Sequence, residues 1–306
     1  VKISTDKTPK VITIGTFDGV HIGHRKIIKS LVETAQSSAL ESAVLTFFPH
    51  PRMVLQKETG IELINTIEER KQILLNTGID HLIVYPFTRA FSRLTAQEYI
   101  EEVLVKKLQA KKVIIGYDHR FGRNRNADIE DLKKYGEEYG FEVEEISKQD
   151  VDEVAVSSTK IRKALKEGDV EKANLYLGSN FLLSGKIVKG KGLGKDLGFP
   201  TANLKIEEDY KLIPKTGVYV VKAIIDNQEV FGMMNIGYNP TVGGSEKTIE
   251  TYFFNLGKNL YGKELQIEML KRIREEKKFG GVEELIKAMK KDEEFSINYI
   301  NQLKTK

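Results

Sequence analysis

Val11-Ile12-Thr13-Ile14-Gly15-Thr16-Phe17-Asp18-Gly19-Val20-His21-Ile22-Gly23-His24 passes from a short β-branched apolar run, through a turn with two glycines, to a pair of histidines. Behind it Ile27, Ile28, Leu31, Val32 and Ala35 recur at helical spacing, so the stretch reads as buried strand, loop and amphipathic helix. His21 and His24 then sit at a helix N-terminus. Unpaired backbone N–H groups and the positive end of the macrodipole attract anions there, by roughly 0.3 to 2 kcal/mol before side chains add donors. Gly23 between the two imidazoles lets a triphosphate come close. A histidine pair by itself is as readily structural, and the strand-to-helix context favours a phosphate site.

Working outward, the first half keeps the same alternation. Apolar runs at 11–14, 43–48, 81–85, 113–115 and 141–146 are separated by helical patterns near 24–36, 67–76, 96–108 and 128–139. Thr66 with Glu69, and Thr95 with Glu98, have capping-box spacing. Such βαβ alternation predicts a doubly wound parallel sheet with helices on both faces and ligands at the carboxyl ends of its strands. After about residue 180 the pattern changes. Runs at 181–188, 217–225, 230–236, 249–256 and 265–273 alternate with glycine-rich turns until a helical pattern at 282–289. That predicts a small antiparallel β-barrel with a C-terminal helix. The expected domains are residues 1–180 and 181–306, joined near Leu177-Gly178-Ser179-Asn180.

Composition narrows the chemistry. With 48 Lys and Arg against 44 Asp and Glu in 306 residues, the net +4 gives no electrostatic case for nucleic acid. Small anionic ligands are the expected partners. No cysteine is present, which removes disulfides, thiolate metal sites and cysteine nucleophiles and suits a reducing compartment. The first residues carry no signal-peptide apolar stretch and no segment reaches bilayer-spanning length. The expectation is a cytoplasmic protein with no membrane partner; its oligomeric state is not readable.

Three further stretches of the first half join the histidines. Thr46-Phe47-Phe48-Pro49-His50-Pro51 ends the second strand with a turn stiffened by prolines, and His50 is open between a ligand contact and an exposed turn residue. Gly116-Tyr117-Asp118-His119-Arg120-Phe121-Gly122-Arg123-Asn124-Arg125 is a basic, glycine-bearing loop that suits phosphate or a flat ring. Ser157-Ser158-Thr159-Lys160-Ile161-Arg162 opens a helix, where Ser158 can serve as N-cap or, with its basic neighbours, hold nucleotide phosphates.

The histidine stretch and Ser157 to Arg162 together resemble the two signatures of the nucleotidyltransferase superfamily with the HxGH motif. With the intervening segments they are similar to the FMN adenylyltransferase half of bacterial bifunctional FAD synthetases. His119 and Ala127 stand where that family usually has phenylalanine and glycine. The resemblance implies that His21 and His24 are catalytic, and that Gly15, Thr16, Phe17, Asp18, Gly23, Asp118, Ser158, Thr159 and Arg162 contact ATP or flavin.

In the second half, Gly190-Lys191-Gly192-Leu193-Gly194-Lys195-Asp196-Leu197-Gly198-Phe199-Pro200-Thr201-Ala202-Asn203 lacks the spacing of a Walker A loop. Thr201 and Asn203, on alternate residues, point oxygens to one side of an extended chain, as Mg²⁺ prefers. Glu250 alternates onto one face with Tyr252 and Phe254, opposite Ile249, Thr251 and Phe253, and a glutamate sharing a face with aromatic rings suggests a site. The stretch resembles the glycine-rich loop and Pro-Thr-Ala-Asn signature of riboflavin kinases, with Lys195 for the usual arginine and Tyr252 for the usual histidine. That resemblance implies nucleotide contacts from Gly190, Gly192 and Lys195, Mg²⁺ at Thr201 and Asn203, Glu250 as catalytic base, and a possible ligand contact for Arg274 at an otherwise solvated strand end. The implied activity is bifunctional. Riboflavin and ATP give FMN, then FMN and a second ATP give FAD and pyrophosphate. A tRNA synthetase and a non-catalytic flavin-binding regulator are the rival readings.

Overall fold

The computed structural model describes residues 8–55, 60–117, 119–146, 156–190, 194, 197–241 and 244–305. The chain divides into two compact units, Val1–Ser158 and Thr159–Lys306.

The first unit is built on five parallel strands in the order β3-β2-β1-β4-β5: β1 (Lys10–Ile14), β2 (Glu41–Phe48), β3 (His81–Pro86), β4 (Ala110–Gly116) and β5 (Glu142–Ile146). Pairings such as Ile12↔Ala43, Ile12↔Val113 and Val44↔Leu82 set the register. β1 is buried along its whole length, so both faces of the sheet are covered there. Ile12 and Ile14 pack on one side with Ala43, Val113, Ile100, Val103 and Leu104; Val11 packs on the other with Val44, Ile114, Ile28, Leu31 and Leu74. The helical members of the first set come from the π-helical turns over Ile100–Lys107 that continue α4 (Ala96–Tyr99). Those of the second come from α1 (Ile22–Ser37) and α3 (Ile67–Leu75). Both expected capping boxes form, Thr66 with Glu69 and Thr95 with Glu98. Strand order reverses between β1 and β4, so the loops after these two strands flank the switch point where open α/β sheets bind ligands. A short helix α2 (Pro51–Leu55) follows β2, and α5 (Ile129–Tyr139) precedes β5.

The chain continues into α6 (Ser158–Glu167) and α7 (Val170–Leu177), which ends on Gly178 in the left-handed conformation. The expected joint at 177–180 is a hydrogen-bonded corner of the second unit. Asn174 donates to the Met269 carbonyl at 2.8 Å and accepts from the Phe181 N–H at 2.7 Å.

Six strands close the barrel in the order β10-β7-β6-β11-β8-β9: β6 (Phe181–Val188), β7 (Ala202–Lys205), β8 (Gly217–Ile225), β9 (Gln228–Thr241), β10 (Gly244–Phe253) and β11 (Glu264–Arg274). Leu183, Ile187, Met234, Ile236, Ile267 and Met269 are fully buried. Period-2 alternation puts the opposite set on the outer face. The last helix, α8 (Val282–Lys304), runs well past the expected 282–289. Its apolar stripe continues through Ser296 and Ile300 beneath the charged run 290–294, which masks it in the sequence. Arg274 grips this helix. Its guanidinium donates to both carboxylate oxygens of buried Asp292 at 2.7 to 3.1 Å. It is therefore an anchor for this helix and not a solvated strand end. Arg274→Ala leaves Asp292 buried and unpaired, and should lower unfolding free energy by roughly 3 to 5 kcal/mol in urea titration; a change below about 1 kcal/mol would contradict the lock.

Candidate active sites

In the first unit the loop between β1 and α1 is shaped by its backbone. Phe17 (φ 48°), Gly19 (φ 88°) and Val20 (φ 40°) all occupy the left-handed region, which is costly for Phe and Val. Their side chains are buried, and that packing offsets the cost. The loop is pinned at three points. The Gly15 N–H donates to the Leu45 carbonyl at 3.0 Å. The Thr16 carbonyl accepts from the Thr46 hydroxyl at 3.1 Å and from Arg70 Nη1 at 2.5 Å. The buried Asp18 carboxylate accepts the backbone N–H groups of Ile64 (2.9 Å) and Asn65 (3.3 Å).

His21 caps α1. Its Nδ1 accepts the His24 N–H at 3.4 Å, which puts the ring proton on Nε2. The two imidazoles stack, with centroids 3.6 Å apart and planes inclined by 16°, and Phe17 meets the His24 ring edge-on at 5.1 Å. A Cβ on Gly23 would stand 3.3 Å from the His21 ring, so the glycine makes room for the stack itself. Burial pushes the His21 imidazole down to about 4, against an opposing pull from Asp18. His24 lies well below the usual histidine range, through burial first and then the neighbouring His21 and Arg70. Both rings are neutral at pH 7 and present N–H donors instead of full charges. Ser158 joins them, its hydroxyl donating to the Asp18 carbonyl at 2.8 Å. The two signatures, 140 residues apart in sequence, meet at Asp18. Thr159 and Arg162 follow Ser158 on α6.

Other expected residues make contacts within the first unit. His50 is buried, and its Nδ1 accepts the Arg52 N–H at 3.2 Å at the start of α2, so it is not an exposed turn residue. In the loop after β4, Arg123 donates to the Arg93 carbonyl at 2.9 Å and Arg120 lies 3.8 Å from Asp128. His119 stacks on Phe121 at the end of a row of rings that runs through Tyr99 and Phe91 to Phe47. Ala127 is buried and pairs with Phe121 through backbone hydrogen bonds. Asp118 lies outside the described residues.

In the barrel, Glu250 on β10 stands directly opposite Asn203 on β7 and Asn235 on β9. The three side chains therefore leave the same face of the sheet in a row. The Thr201 hydroxyl donates to Glu250 Oε2 at 3.3 Å. A Cβ on Gly190 would collide with the Asn203 carboxamide, and one on Gly194 would crowd the Thr201 hydroxyl. Gly190 and Gly194 thus bring backbone close against these two side chains. Phe199, Tyr252 and Phe254 stack edge-to-face beside the row, on the face expected for Glu250. Gly192 and Lys195 lie outside the described residues. Among the described residues no group of three His, Cys, Asp or Glu side chains forms a metal site. The donors here are a hydroxyl, an amide oxygen and a carboxylate, hard oxygens that suit Mg²⁺ when substrate phosphates and water complete its shell.

Asn235 was not assigned a role from the sequence. The signal was there, a polar residue in the apolar run 230–236, but pairing it with Glu250 requires the register of the β9–β10 hairpin.

A family model for FAD synthetase matches residues 3–160, and one for riboflavin kinase matches residues 177–300. The chain is 38% identical over 287 residues to a bifunctional riboflavin kinase/FMN adenylyltransferase of Listeria monocytogenes, covering 93% of this chain and 90% of the other. It is 33% identical over 308 residues to the protein of that name from Bacillus subtilis, covering 99% and 96%. A crystal structure described as a macrolide-efflux protein from Streptococcus pneumoniae matches with a TM-score of 0.86 and 31% identity over 96% of each chain. No helix among the described residues is long and apolar enough to cross a membrane.

The depressed histidines make stability depend on pH. The unfolded chain takes up protons near pH 6.5 that folded His21 refuses until about 4. Stability should therefore fall as pH drops through this window, by about 2 kcal/mol from His21 between pH 7 and 5. Thermal unfolding from pH 8 to 5 checks this. His21→Asn, which keeps a capping acceptor, should flatten the dependence; an unchanged slope would contradict the neutral, buried ring.

Proposed function

The chain belongs to the family of bifunctional riboflavin kinase/FMN adenylyltransferases, and on that premise we propose how its residues divide the two reactions. The enzyme is a transferase that makes FMN from riboflavin and FAD from FMN. The proposed modules are residues 1–180 for adenylyl transfer and 181–306 for the kinase. The observation that carries the assignment is that each module draws its own signature residues together: His21, His24, Asp18 and Ser158 in one, Thr201, Asn203 and Glu250 in the other.

The two reactions ask for different side chains. In the kinase step a neutral ribityl hydroxyl attacks the γ-phosphorus of ATP. The new O–P bond forms as the bond to the ADP oxygen breaks, and Glu250 takes the hydroxyl proton. A positioned base of this kind contributes on the order of 10²- to 10⁴-fold. Mg²⁺ bound through Thr201 and Asn203 would neutralise charge on the ATP phosphates. Gly190, Gly192 and Lys195 are the proposed nucleotide contacts of this site.

In the adenylyl step the nucleophile is the FMN phosphate, already anionic, and no base is required. An FMN oxygen attacks the α-phosphorus of the second ATP, and pyrophosphate leaves. What helps is in-line placement and donors for the developing charge. His21 and His24 supply neutral N–H groups from a rigid stack at the head of α1. The backbone of Gly15 to Asp18 and Gly23 lines the approach, and Ser158, Thr159 and Arg162 are the proposed phosphate donors. The Asp18 carboxylate itself is already taken by backbone N–H groups, so its part is to hold the loop. Asp118 is the proposed flavin-side contact. The partners are small molecules in a cytoplasmic setting, a reading supported by the lack of cysteine and the use of ATP.

His21→Ala should cut FAD formation from FMN by about 100-fold or more while FMN formation stays within about twofold. Glu250→Gln should do the reverse, as chromatography of the flavins would read. Loss of both products in either folded variant would contradict the two-site assignment. Chelation of divalent ions should abolish FMN formation, with recovery on adding Mg²⁺; phosphorylation that persists in chelator would remove the metal from the scheme.

A further inference from the structure

We propose that Asn235 is the acceptor-side specificity residue of the kinase site, hydrogen-bonding the ribityl hydroxyls of riboflavin beside Glu250. The proposal rests on the reading of Glu250 as the base. Glu250 is the middle of a three-strand row, with Asn203 facing it from β7 and Asn235 facing it from β9. Directly opposed residues in antiparallel strands have Cβ atoms about 4.5 to 5.5 Å apart, so both carboxamides flank the carboxylate. The β7 flank is where the Thr201 hydroxyl binds Glu250 Oε2 and where Gly190 packs on Asn203. That is the flank assigned to ATP and its metal.

Phosphoryl transfer needs the attacking and leaving oxygens roughly in line through the γ-phosphorus. A base that touches the attacking hydroxyl therefore has the nucleotide on one side and the acceptor chain on the other. The other side of Glu250 is β9. There the neighbours of Asn235 on the same face are Met233, packed with Phe199 and Tyr252, and Gly237. Asn235 is thus the hydrogen-bonding side chain that β9 offers at this level.

Its carboxamide borders Gly237. A Cβ on Gly237 would stand 3.0 Å from Asn235 Nδ2 and 2.5 Å from Glu276 Oε1. The amide nitrogen and the second carboxylate share the space the glycine leaves, and Glu276 also accepts the Tyr238 N–H at 3.2 Å. With Nδ2 facing the Gly237 gap, Oδ1 is turned the other way and can accept from a hydroxyl. A sugar-alcohol chain presents several such donors, whereas ATP phosphates present none.

Steady-state kinetics of FMN formation test this with Asn235→Ala and with Asn235→Leu, which keeps the volume and removes the acceptor oxygen along with the amide. Both should raise the riboflavin KM by about tenfold, the scale of one substrate hydrogen bond, while the ATP KM stays within about twofold. The preference for riboflavin over an analogue lacking a ribityl hydroxyl should shrink by a similar factor, and FAD formation from FMN should not change. A riboflavin KM within about twofold of the parent in both variants, or an equal rise in the ATP KM, overturns the proposal. Full kinase activity in Glu250→Gln would overturn the base assignment beneath it, and the two failures are told apart by which variant shows them.

Discussion

The buried carboxylate of Asp18 bonds to the backbone N–H groups of Ile64 and Asn65, while its own carbonyl receives the Ser158 hydroxyl. One residue in the loop after β1 thereby ties down two distant pieces of chain. Charge-assisted hydrogen bonds of this kind contribute about 1.5 to 3 kcal/mol each when buried. They hold a loop whose Phe17 and Val20 occupy left-handed backbone that neither would choose alone. From that loop follow the cap on α1, the stack of His21 on His24, and the orientation of the Nε2 proton.

The barrel reaches an equivalent rigidity by register. Asn203, Glu250 and Asn235 are aligned by β-sheet pairing, and glycines at 190, 194 and 237 leave the space into which side chains and backbone fit. Each module thus matches its nucleophile. In the proposed scheme a neutral hydroxyl meets a carboxylate set among amides, and an anionic phosphate meets imidazoles whose pKa burial lowers. A protonated histidine pair would bind anions more strongly in the ground state; neutral donors leave more of their stabilisation for the transition state.

Much of this was legible in the sequence because its periods are clean. The parallel strands, the capping boxes at Thr66 and Thr95, and the edges of β6 and β8 follow from apolar spacing and local hydrogen-bonding chemistry. What escaped has physical causes. β7 is four residues long and follows a proline, too short for alternation to declare it. The second half of α8 is hidden because Asp292 is buried against Arg274, so a charged residue occupies a core position. The burial of His50 and the bonds from the Asp18 carboxylate to the Ile64 and Asn65 N–H groups depend on how distant segments pack, which spacing along the chain does not show. Asn235 is defined by a partner across a hairpin, and spacing along the chain does not reveal it.

The central claim is that one chain moves two different phosphorus atoms of ATP at two sites, and isotopic labelling reads this directly. With riboflavin and ATP labelled in the γ-phosphate, label should enter FMN and persist in FAD. With ATP labelled in the α-phosphate, label should enter FAD and leave FMN unlabelled. α-Label in FMN, or FAD that carries no α-label, would contradict the account.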